Sequence, residues 1–238
     1  MDSSLSAPLS MERFTDTSFI LCTVCLACTL ALYLLSKWWK ERPQVKYIPF
    51  GQGEVLPVGT IVVDSLHPTC PTLTHHRGST TPPSLKDDTS TGIVLNAIKA
   101  GHSILSSPPC TQVTCSHFDL DGLCSVWAIQ HPTLALQYSD ILRTAATIGD
   151  LRELHLAAPC AMSALRLNTW VNAIERGRFY RPYQTNDLQD GTSQKYSYFL
   201  PRLLGQLKML TQQQEAGGLD RAWITALSQA RQRQRDGR

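Results

Sequence analysis

Charge is scarce in this chain. Only 17% of its 238 residues are Asp, Glu, Lys or Arg, and the formal net charge is +3. So small a balance gives no electrostatic case for nucleic-acid binding, and a 42% hydrophobic share is enough for a packed core. No internal repeat is present, which sets aside a solenoid. The eight cysteines include no CxxC pair facing a second one, so neither a zinc ribbon nor a disulfide framework is indicated. Three of them, Cys22, Cys25 and Cys28, share one apolar run. The rest of the chain reads as reduced and cytosol-facing.

That apolar run is the first thing present. Residues 1–17 form a polar, Ser/Thr-rich, slightly acidic leader expected to be disordered. From Ser18 to Ser36 there is no charge. At about 1.5 Å per residue a helix of that length spans close to 30 Å, the thickness of a bilayer core. Trp38 and Trp39 suit an interfacial belt, with Lys37, Lys40 and Arg42 beside them. A secretory signal would want a basic leader and a small-residue cleavage site, which LLSKWWKE does not offer. The expectation is a single span over 18–36 with the positive flank, and hence the main domain, on the cytosolic side. Residues 37–59 then make a tether and 60–238 the folded domain.

Thr60 to Asp64 (TIVVD) reads as a buried strand ending in an acid. A long loop follows, rich in Pro, Thr and His, carrying His67, His75, His76, Arg77, Asp87 and Asp88. Loops of that length in compact domains are usually functional or disordered. Either it is a surface meander with solvated histidines, or it folds over a site and supplies imidazole ligands, with Arg77 as a phosphate or carboxylate clamp. Asp88-Thr89-Ser90-Thr91-Gly92 opens a helix expected from about Gly92 to Leu105, where free N–H groups would suit an anion, although a Ser/Thr cap accounts for the same residues.

The stretch TQVTCSHFDLDGLCSVWAIQ, residues 111–130, organises the chain. Thr111 to Phe118 is expected as a strand and Leu123 to Ile129 as part of a helix, both free of charge and therefore buried. Between them stand His117, Asp119, Asp121 and Gly122. Alternate residues leaving a strand point the same way, so His117, Asp119 and Asp121 can converge, with Asp121 also placed to cap the helix. Carboxylates suit Mn²⁺ or Mg²⁺, and an imidazole is acceptable to Mn²⁺. An EF-hand is excluded, because Ala128 stands where its bidentate Glu would be. A solvated capping turn is the plain alternative.

His117, Asp119, Asp121, Gly122 and Ser125 spell H-x-D-x-D-G-x-x-S. This resembles the first metal motif of DHH-type phosphoesterases, the RecJ-like superfamily. With Asp-Asp-Thr-Ser-Thr-Gly before it and Phe-Tyr-Arg-Pro after it, the pattern also resembles a family of unknown function that carries this variant motif. The superfamily resemblance implies strand-end acids holding a two-metal centre that hydrolyses phosphodiesters or pyrophosphates. No Asp-His-His triplet follows the motif; Thr74-His75-His76 precedes it.

Further on, 132–147 and 160–176 read as amphipathic helices, 184–194 as a surface loop, and 196–213 and 219–232 as helices, the last ending in a basic tail. Arg178 and Arg181 lie among aromatics, an arrangement that grips phosphate or packs between domains. The expected fold is α/β: a small, largely parallel sheet flanked by helices, with a helical C-terminal portion and one N-terminal transmembrane helix. The expected function is a membrane-anchored, metal-dependent phosphoesterase-like hydrolase acting on a phosphorylated small molecule or short nucleotide. His117, Asp119, Asp121, Asp64 and His75 would be metal ligands, and Arg77 and Asp150 catalytic. The rival is a non-catalytic, membrane-tethered α/β scaffold.

Overall fold

The computed structural model describes residues 21–33, 45–51, 55–155, 158, 160–179 and 191–215. The expected leader, the Trp38/Trp39 belt, Arg181, the 219–232 helix and the basic tail lie outside the described residues. The chain divides into two units, Met1–Arg42 and Pro43–Arg238.

In the first unit residues 21–33 are helical (α1) and every one is exposed. Thr29 Oγ1 donates to the Cys25 and Leu26 carbonyls, 3.0 and 2.9 Å away, so its polar group is satisfied within the helix. Among the described residues no helix is long and apolar enough to cross a membrane.

The second unit is built on a four-stranded sheet, all parallel, in the order β1-β4-β2-β3. The strands are β1 (Lys46–Tyr47), β2 (Thr60–Val63), β3 (Thr72–Leu73) and β4 (Gln112–Thr114). Lys46 and Tyr47 were expected in the tether; they pair instead with Gln112 and Val113 as an edge strand. The strands are short, yet β2 is buried along its whole length, as its unbroken β-branched run requires. The chain steps from β2 to β3 on one side, then returns through a helix to β4 on the other. The carboxyl ends of β2, β3 and β4 therefore open on a crevice of the kind where α/β sheets bind ligands.

Helix α2 (Ser90–Ala100) makes the return. It starts two residues earlier than expected and stops at Gly101, whose left-handed backbone (φ 57°) closes the C-terminus; a 3₁₀ turn, Ser103–Leu105, takes the rest of the expected helix. Helix α3 (Leu120–Gln130) is buried at every position, which explains why it carries no charge beyond Asp121. The helix expected over 132–147 is two, α4 (Pro132–Gln137) and α5 (Ser139–Asp150), broken at Tyr138. Helix α6 (Ala161–Ile174) runs into a π-helical turn, Glu175–Phe179. Helix α7 (Gly191–Glu215) starts inside the segment expected as a surface loop. Leu123, Val126, Trp127, Leu142, Leu167, Phe199 and Leu203 form part of one continuous core that joins these helices to the sheet.

Candidate metal centre

The site forms where three strand ends meet the first turns of two helices. Asp64 follows β2 directly and is 1% exposed. Its backbone is left-handed (φ 48°), a conformation that Asp tolerates better than most residues. Ser65 next to it stitches β2 to β4, its hydroxyl lying 2.8 Å from Ser116 Oγ and accepting from Ser116 N. From the end of β3 come His75 and His76. From the end of β4 comes His117, and from the start of α3 come Asp119 and Asp121.

The two motif acids do different work. Asp119, not Asp121, is the N-cap of α3, accepting from Gly122 N at 2.7 Å. Asp121 lies inside the first turn, wholly buried, and points across to the start of α2. There Ser90 N donates to its Oδ2 at 2.8 Å and Thr91 N to its Oδ1 at 2.7 Å. The N–H groups expected to suit an outside anion thus hold the protein's own carboxylate, while Thr89 caps Gly92 N. This use of α2 was not visible in the sequence, because the partners are 30 and 31 residues apart.

Asp64 sits between two histidine groups. Its Oδ1 is 3.6 Å from both His75 Nδ1 and His76 Nε2, and its Oδ2 is 3.3 Å from His117 Nε2. His75 Nδ1 is also 3.6 Å from Asp121 Oδ2. Two trios result, Asp64–His76–His117 and Asp64–His75–Asp121, each compact enough to hold one metal ion, and Asp64 belongs to both. Ligands about 2.1 Å from an octahedral ion stand roughly 3 Å apart, close to the 3.3–3.6 Å seen here. Such spacings are long for hydrogen bonds but suit groups converging on a shared cation.

Neighbouring groups fix the imidazoles. His75 Nε2 faces Asp150 Oδ2 at 3.3 Å, leaving Nδ1 toward the two buried acids. That is the arrangement by which a carboxylate orients a metal-binding histidine. Asp150, expected as catalytic, is the last residue of α5 and reaches the site through His75. Ser90 Oγ donates to Asp64 Oδ1 at 2.7 Å and lies 2.9 Å from His75 Nδ1. His117 Nε2 is 3.2 Å from Asp119 Oδ2 as well as near Asp64, and its Nδ1 is 3.2 Å from Ser116 Oγ. The loop bearing it is pinned from below, since Tyr196 Oη donates to the His117 carbonyl at 3.0 Å.

The electrostatics fit a cation. Among the described residues the ion-pair partners of Asp64 and Asp121 are all histidines. Burial, and then the charge of Asp64, push the Asp121 carboxyl up to about 7 against the pull of the Thr91 and Ser90 donors. The hydrogen bond to Asp119, and then the approach of the Asp64 carboxylate, raise His117 to about 11, although burial opposes them. Burial favours a neutral Asp119, yet the bonds from His117 and Gly122 N outweigh it and its carboxyl is lowered.

Three loop residues stay outside. His67 Nδ1 accepts from Cys70 N at 3.1 Å and from Thr69 N at 3.3 Å, closing its own turn. Arg77 is exposed and makes no ion pair or hydrogen bond among the described residues. Asp87 is taken by Arg143, which also reaches Asn96. His76, passed over as a ligand in the sequence, joins the centre. Its only signal there was its place beside His75.

A family model spans residues 43–236, covering every residue of this centre. The chain belongs to DUF6687, a family of unknown function. The DUF6687 match leaves out α1, and it starts just ahead of β1, so the edge strand and the whole crevice lie within the family's span. No curated protein and no solved structure matches the chain.

Proposed function

We propose that this chain is a membrane-anchored, metal-dependent hydrolase whose substrate carries a phosphodiester or pyrophosphate group. The observation that carries this reading is the sharing of one buried carboxylate, Asp64, by two ligand trios. A shared carboxylate would bring two cation sites close together, an arrangement that suits hydrolysis at phosphorus. Asp64 would bridge; Asp121 and His75 would complete the deeper site, and His76 and His117 the outer one. Asp150 orients His75, and Asp119 orients His117. Mn²⁺ or Mg²⁺ bound there would lower the pKa of a coordinated water and offset charge on the phosphoryl oxygens. His76 and His117 are 40% and 43% exposed while Asp64 and Asp121 are buried, so substrate would approach from the histidine side. Arg77, exposed and without an ion pair among the described residues, is the candidate to meet the phosphate there.

The membrane anchor rests on the uncharged run 18–36, of which residues 21–33 form an exposed helix whose Thr29 hydroxyl is bonded internally. Protease added outside intact vesicles should remove the domain if the vesicles are cytosol-side-out; survival there would contradict the orientation.

Metal analysis of the full chain, purified in detergent without chelator, tests the centre. Wild type should carry Mn²⁺ or Mg²⁺; Asp64→Asn should lose all of it and Asp121→Ala the deeper ion, each together with turnover of a p-nitrophenyl phosphodiester, a short oligonucleotide or pyrophosphate. Metal-free wild type would refute the centre. Bound metal without turnover on any of these substrates would leave a metal-stapled scaffold.

A further inference from the structure

Away from the metal centre, a shallow cavity of about 600 Å³ opens between the π-helical turn Glu175–Phe179 and the first turns of α7. It is lined by Arg178, Phe179, Ser193, Gln194, Ser197 and Tyr198. The charge balance here is uneven. Glu175, the one acid of the turn, is engaged by Lys195 at 2.6 Å. Arg178 and Arg202 have no acidic partner among the described residues. Both gather on one aromatic ring, their guanidinium carbons 4.7 and 4.1 Å from the centre of Tyr198. Arg202 is further held by the Tyr198 carbonyl at 2.7 Å. Ser197 Oγ donates to the Ser193 carbonyl at 2.9 Å, so the two cations on one ring, beside the exposed Gln194 amide, are what make this surface favour an oxyanion.

The turn itself explains the position of Arg178. A π-helical turn is wider than an α-helical one and is often found at functional places. Here the Glu175–Lys195 pair ties it to α7, and Arg178 comes to lie over Tyr198. The same stretch of α7 reaches the metal-bearing loop. Tyr196 bonds the His117 carbonyl, the Lys195 ammonium lies 5.5 Å from the Phe118 ring centre, and Phe118 stacks on Phe199. The cavity residues Ser193, Gln194 and Ser197 thus flank residues that touch the motif.

We infer that this cavity is a second phosphate-binding subsite, in which Arg178 grips a phosphate of the substrate remote from the bond that is cut, and Arg202 adds charge. This rests on the phosphorylated-substrate reading above and narrows it to substrates with more than one phosphate.

The full chain in detergent, with EDTA, is titrated with inorganic phosphate while the arginine side-chain N–H resonances are followed by NMR; acetate is the carboxylate comparison. Saturable shifts of Arg178 and Arg202 are expected with phosphate and weaker ones with acetate. In Arg178→Gln the affinity should fall at least tenfold, and in Arg178→Lys several-fold. Asp64→Asn should leave phosphate binding unchanged. The subsite is overturned by an absence of saturable shifts, by equal affinity in Arg178→Gln, by equal response to acetate, or by loss of binding in Asp64→Asn, which would put the anion elsewhere. Metal content, read on the same samples, reports separately on the centre. Phosphate binding in a chain that takes up no metal would sink the hydrolase and leave the subsite standing.

Discussion

Asp64 is the residue on which the two trios depend, so Asp64→Asn should remove the response to metal altogether. The measurement is the melting temperature of the full chain in detergent, with Mn²⁺ and with EDTA, and the quantity read is the difference. Whatever the substitution does to the metal-free fold cancels in that difference. An ion present at 100 times its dissociation constant stabilises the folded state by about 2.7 kcal/mol, so two ions give roughly 5 kcal/mol. For a domain of this size about 1 kcal/mol moves the midpoint by roughly 2–4 °C, which puts the wild-type difference at about 10–20 °C. Asn keeps the shape of Asp64 and still accepts from Ser90 Oγ, but it offers neither site a charged oxygen. Its difference should be near zero. Asp150→Asn is the internal scale, because it touches the centre only through His75. A loss of orientation costs about 10- to 100-fold in metal affinity. At the same Mn²⁺ concentration the deeper ion would then contribute roughly 0.4–1.4 kcal/mol, and the midpoint difference would shrink by about 3–9 °C. If Asp64→Asn kept the wild-type difference, or if Asp150→Asn abolished it while Asp64→Asn did not, a shared carboxylate could not be what holds the ions.

Three other outcomes follow from the same geometry. His75→Ala should lower Mn²⁺ content, whereas His67→Ala should leave it at the wild-type level, since His67 only closes its own turn; equal loss in both would mean the loop acts as a whole. In EDTA the fold should weaken as pH rises. Asp121 is raised from 3.8 to about 7, so its buried charge costs stability progressively over that interval and fully above it. His117 is raised from 6.5 to about 11, so its contribution is complete below 6.5 and is lost as pH climbs through 11. Metal binding needs both groups deprotonated, so the Mn²⁺-induced gain in melting temperature should grow between pH 6 and 8.5; a gain that is flat or falling over that range, followed by differential scanning fluorimetry, would contradict the assignment. Gly122→Ala should destabilise by about 1–3 kcal/mol in urea unfolding, because a Cβ there would stand 2.6 Å from Tyr196 Oη and 3.0 Å from Cys115 Sγ; a neutral result would show that α7 packs less tightly on the motif than described.

Much of the architecture was legible because burial leaves a compositional trace. The run TIVVD announced a strand ending in an acid, and the uncharged stretch after Asp121 announced α3, buried throughout. What stayed hidden was what depends on distant partners. β1 and β3 have two residues each, too short for any period, and they exist as strands only through pairing with β4 and β2. The local pattern placed Asp121 to cap α3. The cap went to Asp119 because Asp121 is drawn to the backbone donors of Ser90 and Thr91. His117 and Asp121, expected to converge with Asp119, fall in two separate trios joined by Asp64, a ligand already named from the sequence, and Asp119 belongs to neither.

The backbone of Asp64 argues that the link is not a by-product of folding. Among the described residues only Asp64 and Arg152 are non-glycine residues with positive φ. Arg152 follows the end of α5, where a left-handed residue is an ordinary way to stop a helix. Asp64 follows a strand, where extended backbone would have continued at no cost. A β-branched or bulky residue would be strained there, and glycine would fit best. Asp pays part of that strain and stands in the densest charge cluster described, its side chain reaching His75, His76 and His117 at once. Asp64→Gly separates the two demands. If the position served only the turn, glycine would raise the melting temperature in EDTA and leave the Mn²⁺ response intact. A carboxylate kept there for ions predicts instead that glycine is tolerated by the metal-free fold while the Mn²⁺ response is lost.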